Sequence, residues 1–444
     1  MELSKNKKIN KGHKLWIEAK RVILAGNMLL SKRPDLFLPN LWPTYFSKTK
    51  SCYIWGIDNK KYLDMSFMGV GTNILGYNNK KVDQAVRNAV KKGNLSTLNA
   101  PEEVTLAKKL ISIHKWASSV KFARTGGEIA TVAVRIARNF SGKSKILLCG
   151  YHGWHDWYLS ANLKSKNSLK KHLFDQININ GVPKELSNLT YAFEYNDFRG
   201  LQKIFKSTTG FGVLIMEVKR NQPPKNNFLK KVRNFCNRHK IVLIFDECTS
   251  GFRENYGGLQ LKYKINPDIL LLGKAIGNGY AITALLGKRK IMQKSRNLFI
   301  SSTFWTERIG TVAALATLKE MKRIKSWEII TKIGKKITKE WSRIFKKYNI
   351  KFEIKGLSSI LIFEFKKKNF NAYKTFITQE MLKKNILANN TIYISTEHND
   401  KVLKKYFLEF EKVIKKIHLI ENQKKKIERF LETKQASLGL KRIN

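Results

Sequence analysis

Four short apolar runs without alternation constrain this chain more than any other feature in it. They are "KILLC" from Lys145, "GVLIMEV" from Gly212, "IVLIFDEC" from Ile241 and "DILLLGK" from Asp268. A strand with one wet face alternates apolar and polar residues; runs of this kind have no polar side and must be covered on both faces. Between the second and third lies "NNFLKKVRNFCNRHK", where Phe228, Leu229, Val232, Phe235 and Cys236 share one helical face. Strand, helix and buried strand together predict an α/β fold with a mostly parallel central sheet and flanking helices.

From about residue 330 the texture changes to a long basic helical pattern, then "KFEIKGLSSILIFEF", then two more helical patterns. This predicts a smaller α+β domain. The expected division is an amino-terminal segment, 1–65, packing with that small domain, a large domain over 66–325, and the carboxyl-terminal small domain over 326–444.

Open parallel sheets bind ligands beyond the carboxyl ends of their strands. Here those ends carry Tyr151, His152, Glu217, Asp246, Glu247 and Lys274, so an aromatic, an imidazole, carboxylates and a lysine are expected along one edge. Upstream, "VKFARTGGEIATVAVRIARNF" reads as a short strand (Val120 to Ala123), a tight turn at Thr125, Gly126 and Gly127, and a helix with Ile129, Val132, Ala133, Ile136 and Phe140 inward. A glycine turn at a helix amino terminus presents free N–H groups and the positive end of the helix dipole, which suits a phosphate. A partly desolvated lysine at a strand end, such as Lys274, has an amine available for a Schiff base with an aldehyde. Phosphate anchor, imine-forming lysine and strand-end carboxylate together meet the needs of pyridoxal phosphate, with Asp246 holding the proton on the pyridine nitrogen. Burial strengthens that hold, because water would screen it.

Several of these stretches, in order along nearly the whole chain, resemble one family. "YIWGIDNKKYLDM", "GTNILGY", "RTGGEIATVAVRIAR", "YHGWHDW", "DECTSGFR", "PDILLLGKAIGNGY" and "SSTFWTERIG" are similar to the class III, fold type I pyridoxal-phosphate aminotransferases, within them the glutamate-1-semialdehyde 2,1-aminomutase-like group. The resemblance implies that Lys274 carries the cofactor as its Schiff base, that Asp246 pairs with the pyridine nitrogen and that Cys248 backs the ring. It also implies that Tyr151 stacks on the other ring face and that Thr125, Gly126 and Gly127 hold the phosphate. Glu217 is counted with these cofactor contacts. A threonine from the neighbouring subunit completes the phosphate site in this family and Thr303 matches it, so the resemblance implies a homodimer.

There are departures from the family pattern. Position 127 is Gly where relatives often carry Ser or Thr, which removes a hydroxyl from the cradle, and position 248 is Cys where Val or Ile is usual. Relatives commonly read Glu-Pro where this chain has "MEVKRNQPP". Arg220 in that segment and Arg33 in "LLSKRPDLFLP" are the candidate contacts to a substrate carboxylate, since a guanidinium makes two parallel hydrogen bonds to one. The expected reaction moves an amino group between a donor, glutamate the first to try, and a carbonyl acceptor. The alternative is an aminomutase that re-aminates the neighbouring carbon of one skeleton.

The charge raises a different class of function. With 85 Lys+Arg against 33 Asp+Glu the formal net charge is +52, a field that attracts nucleic acid. The lysines are spread along the chain beside many Asn and Ile rather than gathered in one stripe, which reads as compositional bias on solvated faces and points to no specific nucleic acid. Salt-sensitive retention on DNA would favour the other view. A catalytically dead homologue would not need both Lys274 and Asp246, and a phosphate enzyme without pyridoxal would leave Lys274 and Tyr151 without roles.

Four dispersed cysteines, Cys52, Cys149, Cys236 and Cys248, form no CxxC pair, which argues against a disulfide framework or zinc knuckle. Glu18, Lys20 and Arg21 interrupt the apolar part of the amino terminus too soon for a signal peptide, and no run approaches the ~20 apolar residues of a membrane span. A cytoplasmic protein without membrane contact is expected.

Overall fold

The computed structural model describes residues 11–165, 168–170, 172 and 177–437; the basic start, residues 1–10, lies outside them. The chain divides into two compact units. One gathers described residues 11–70, 74–79 and 332–437, and the other gathers those of 71–73 and 80–331.

The second unit is built on a seven-stranded sheet, in the order Ser119–Ala123, Thr283–Gly287, Ile269–Leu272, Val242–Glu247, Phe211–Glu217, Lys145–Cys149, Thr190–Ala192. Neighbours from Ile269–Leu272 through Thr190–Ala192 pair in parallel. Thr283–Gly287 runs antiparallel to both of its neighbours. The four apolar runs become the central strands, and every residue of Phe211–Glu217 and Val242–Glu247 is buried. Helix Phe228–Arg238 buries Phe228, Leu229, Val232, Phe235 and Cys236, the face its spacing predicts. Helix Gly126–Ser141 buries Ile129, Val132, Ala133 and Ile136, with Phe140 packed at the margin of the same core.

In the first unit, strands Phe46–Lys50, Tyr53–Gly56 and Lys61–Met65 form an antiparallel meander, to which Ile386–Ala388 adds in parallel. A second, antiparallel sheet joins Phe352–Leu357, Ile360–Phe365 and Thr391–Tyr393. Helices Phe370–Lys383 and Asp400–Asn422 belong to this unit, the latter burying Tyr406, Phe410, Ile414 and Ile417.

Candidate active site

The last two residues of Val242–Glu247 are carboxylates, and because side chains alternate along a strand they point to opposite faces. Glu247 ties down the chain that follows: its Oε1 accepts from Gln260 N at 2.8 Å and its Oε2 from Leu259 N at 2.7 Å and Ser250 Oγ at 2.9 Å. Burial pushes its carboxyl up to about 7, against those three donors, which favour the anion.

Asp246 faces a different set. Its Oδ1 accepts from Cys248 N at 3.0 Å and its Oδ2 lies 2.8 Å from His152 Nδ1. The other ring nitrogen, Nε2, lies 3.2 Å from Cys149 O, so both nitrogens of His152 face acceptors. Burial works to raise the Asp246 carboxyl, but the His152 hydrogen bond and charge, the Cys248 amide and the Lys274 charge outweigh it and hold the group below its ordinary range. Asp246 is therefore kept as an anion although it is only 6% exposed.

Lys274 follows strand Ile269–Leu272 after Gly273, with a φ of +42°. A left-handed lysine is a strained backbone, which the surrounding structure has to hold in place. Its Nζ donates to Thr249 Oγ1 at 2.8 Å. Thr249 is held in turn by fully buried Arg253, whose Nε donates to Thr249 O at 2.7 Å. Cys248 links the pieces: its Sγ would stand 3.3 Å from a β-carbon on Gly273 and 3.9 Å from one on Gly126. Burial raises its thiol well above the usual range, so it serves as an apolar surface between the lysine turn and the glycine turn.

The glycine turn opens helix Gly126–Ser141 through a capping box. Thr125 Oγ1 accepts from Glu128 N, while Glu128 Oε2 accepts from Thr125 N at 2.7 Å and Arg124 N at 3.2 Å. The first helical amides, those of Gly126 and Gly127, have no intrahelical acceptor by the geometry of a helix start. Beyond strand Lys145–Cys149, Tyr151 packs edge-on against Tyr158 with ring centroids 5.9 Å apart, and its N–H donates to Glu217 Oε2 at 3.3 Å. Gly150 (φ +115°) lets the chain pass under Glu217: a β-carbon there would stand 2.7 Å from Glu217 Oε2.

Lys274, Asp246, Cys248, Glu217, Tyr151 and the Thr125–Gly127 turn thus lie along the carboxyl edge of one sheet, Glu217 pairing with Asp246 in register. Arg220 is buried three residues past the end of Phe211–Glu217. Thr303 is exposed at the start of a short turn that Arg124 grips through Phe304 O, Trp305 O and Glu307 O at 2.8–2.9 Å. Arg33 belongs to the other unit, where its Nε donates to Asp35 at 3.1 Å. Sequence reasoning placed His152 at the edge without a role, and gave none to Thr249 or Arg253. The imidazole one residue after the assigned Tyr151 was the available signal.

An α/β sheet with a lysine, a buried carboxylate and a helix-start turn on its carboxyl edge is the frame of a pyridoxal-dependent transferase. The family model for aminotransferase class III matches residues 39–405, and the chain belongs to that family. It is 31% identical over 410 residues to 3-aminobutyryl-CoA aminotransferase of Cloacimonas acidaminovorans (strain Evry), covering 89% of this chain and 94% of that protein. It is 34% identical over 323 residues to glutamate-1-semialdehyde 2,1-aminomutase of Nitrosopumilus maritimus (strain SCM1), covering 70% and 73%. The solved structure of the Sphingopyxis sp. MTA144 FumI protein superposes with a TM-score of 0.84 at 20% identity, over 95% of this chain and 99% of that one, a likeness of fold.

Proposed function

We propose that this class III aminotransferase binds pyridoxal phosphate at the carboxyl edge of its large sheet and moves an amino group from a carboxylate-bearing donor, glutamate first, to a carbonyl acceptor. The observation that carries the reading is the pair formed by Lys274, on a strained turn with its amine resting on Thr249, and Asp246, held anionic in a buried setting. The donor set fits the cofactor: helix-start amides at Gly126 and Gly127 for the phosphate, a carboxylate for the ring nitrogen, an amine for the aldehyde. When bound, the cofactor supplies an aldehyde that condenses with amines and a ring that accepts an electron pair. Asp246 keeps a proton on the ring nitrogen. Lys274 Nζ would take the proton released at the amino-bearing carbon of the donor and deliver it to the former aldehyde carbon of the cofactor within the same half-reaction, as general base and then general acid; the acceptor half would run the same transfer in reverse. Arg220 receives the donor carboxylate, with Arg33 as a second candidate.

A homodimer in the cytoplasm is part of the proposal, with Thr303 serving the phosphate turn of the neighbouring subunit. Phe299 and Phe304, which flank Thr303 in the sequence, are 84% and 71% exposed, and a partner subunit is what would cover such large apolar side chains. Among the described residues the four cysteines are buried free thiols, and no helix is long and apolar enough to cross a membrane.

The test is a half-reaction. With an amino donor alone the enzyme should convert its cofactor stoichiometrically to pyridoxamine phosphate and stop until an acceptor is added, and Arg220→Ala should raise the donor's KM or abolish the conversion. The similarity to an aminomutase supports the second reading. Isomerisation of glutamate-1-semialdehyde with no second substrate, and no half-reaction with any amino acid, would select it.

A further inference from the structure

We propose that Thr249 is a catalytic residue of this enzyme: its hydroxyl holds the free amine of Lys274 in place for attack on the aldehyde and for proton transfer. The proposal rests on the reading of Lys274 above and adds a residue that pyridoxal chemistry does not by itself call for.

A lysine does not stand still unaided. Its four-carbon stem carries about 2 kcal/mol of rotamer entropy, and an amine that swings between solvent and the site is in place for only part of the time. In one half-reaction the same amine has to serve two carbons, the amino-bearing carbon of the donor and the former aldehyde carbon of the cofactor. A misplacement of ~1 Å costs such a step about a hundredfold. What is needed is a partner that fixes the amine and leaves it reactive.

The Thr249 hydroxyl is such a partner. Lys274 Nζ donates to Thr249 Oγ1 at 2.8 Å. A hydroxyl both accepts and donates, so when the amine has given up its proton the O–H can turn to the Nζ lone pair and the bond persists. A carboxylate in the same place would favour the ammonium, the form that can neither attack an aldehyde nor take up a proton.

Both ends of the bond stand on fixed backbone, at the ends of two adjacent parallel strands, Val242–Glu247 and Ile269–Leu272. On the Thr249 side, Gly251 N donates to Glu247 O at 2.8 Å, and a β-carbon on Gly251 would stand 2.8 Å from that same oxygen, so the turn leaves no room for a side chain there. Phe252, fully buried, takes a φ of +59°. Arg253, also fully buried, reaches back through Nε to Thr249 O at 2.7 Å and through its terminal nitrogen to Gly71 O. A buried guanidinium needs acceptors, and here one of them is the Thr249 carbonyl. Threonine is stiff at χ1, so a fixed backbone also fixes its hydroxyl. On the lysine side, a β-carbon on Gly273 would stand 3.1 Å from Thr283 Cγ2 and 3.3 Å from Cys248 Sγ, so the turn that carries Lys274 is packed against the turn that carries Thr249.

The experiment removes the hydroxyl and keeps the shape. Pyridoxal is offered to the full chain freed of cofactor, attachment is trapped with borohydride at intervals, and peptide mapping compares Lys274 with exposed lysines of the same sample. Thr249→Val should slow attachment at Lys274 roughly tenfold while the exposed lysines label as in wild type, and Thr249→Ser, which keeps the hydroxyl, should stay within about threefold of wild type. Thr249→Ala makes the same deletion with a smaller side chain and should behave as the valine variant. In the half-reaction of the holoenzyme, the valine and alanine variants should lose roughly tenfold to a hundredfold in kcat with the donor's KM unchanged. Attachment at the wild-type rate in Thr249→Val and Thr249→Ala, a Thr249→Ser protein as slow as Thr249→Val, or a loss confined to KM would overturn the proposal. A wild-type protein whose Lys274 labels no faster than its exposed lysines would instead overturn the reading of Lys274 on which the proposal rests.

Discussion

His152→Ala should move the acid limb of this enzyme's activity to higher pH. His152 Nδ1 lies 2.8 Å from Asp246 Oδ2, with side-chain exposures of 0% and 7%, so the bond is made out of contact with solvent. A hydrogen bond to a charged group contributes about 1.5–3 kcal/mol. At about 1.36 kcal/mol per pKa unit, its removal should raise the Asp246 carboxyl by about one to two units. The sign follows from the direction of the wild-type shift. Asp246 is depressed in the folded protein, so its anionic form is stable above its unfolded pKa, and that contribution is lost as pH falls through the folded value. Without His152 the carboxyl keeps its proton to higher pH, and the loss begins earlier on acidification. The assay is the pH profile of the half-reaction with a fixed donor, beside acid unfolding of the cofactor-free protein; His152→Gln, still able to donate to Oδ2, should fall between wild type and alanine. An unmoved acid limb in a folded His152→Ala protein would refute the view that this imidazole sets the state of Asp246.

Two further substitutions separate the neighbouring carboxylates. Asp246→Asn should fold and still bind pyridoxal phosphate, since the side-chain oxygen can accept from Cys248 N, but turnover should drop roughly a hundredfold or more; unchanged turnover would remove Asp246 from catalysis. Glu247→Gln should lower stability by on the order of 3 kcal/mol in denaturant melts, because its amide would oppose one of the N–H donors now bonded to Glu247. With the folded carboxyl at about 7, above its ordinary 4.5, the protonated form favours the fold, a contribution complete below 4.5 and lost as pH rises through 7. The variant should lack that slope.

The sheet was legible because its signal is local. Unbroken apolar runs and the one-sided helix Phe228–Arg238 state their environment within a dozen residues, and the carboxylates and lysine that end those runs mark the site edge. Strands Phe46–Lys50 and Tyr53–Gly56 gave no such signal, since they are largely exposed or half-buried and carry no period-2 pattern. Thr283–Gly287 is fully buried, so its five residues read like any central strand and their antiparallel direction is a matter of chain return. Contacts between distant parts of the chain were invisible for the same reason. His152 meets Asp246 across 94 residues, and His155 fills the space at Gly127 only because Gly153 lets two loops touch. A glycine in a sequence says that a side chain is missing; only the fold says what stands in its place.

The central claim is that Lys274 holds the cofactor, and borohydride reduction of the holoenzyme followed by peptide mapping tests it most directly. The account predicts a yellow protein whose reduced cofactor is attached to Lys274 alone, and a Lys274→Ala variant with neither the attachment nor turnover. Label on another lysine, or turnover retained in Lys274→Ala, would contradict it.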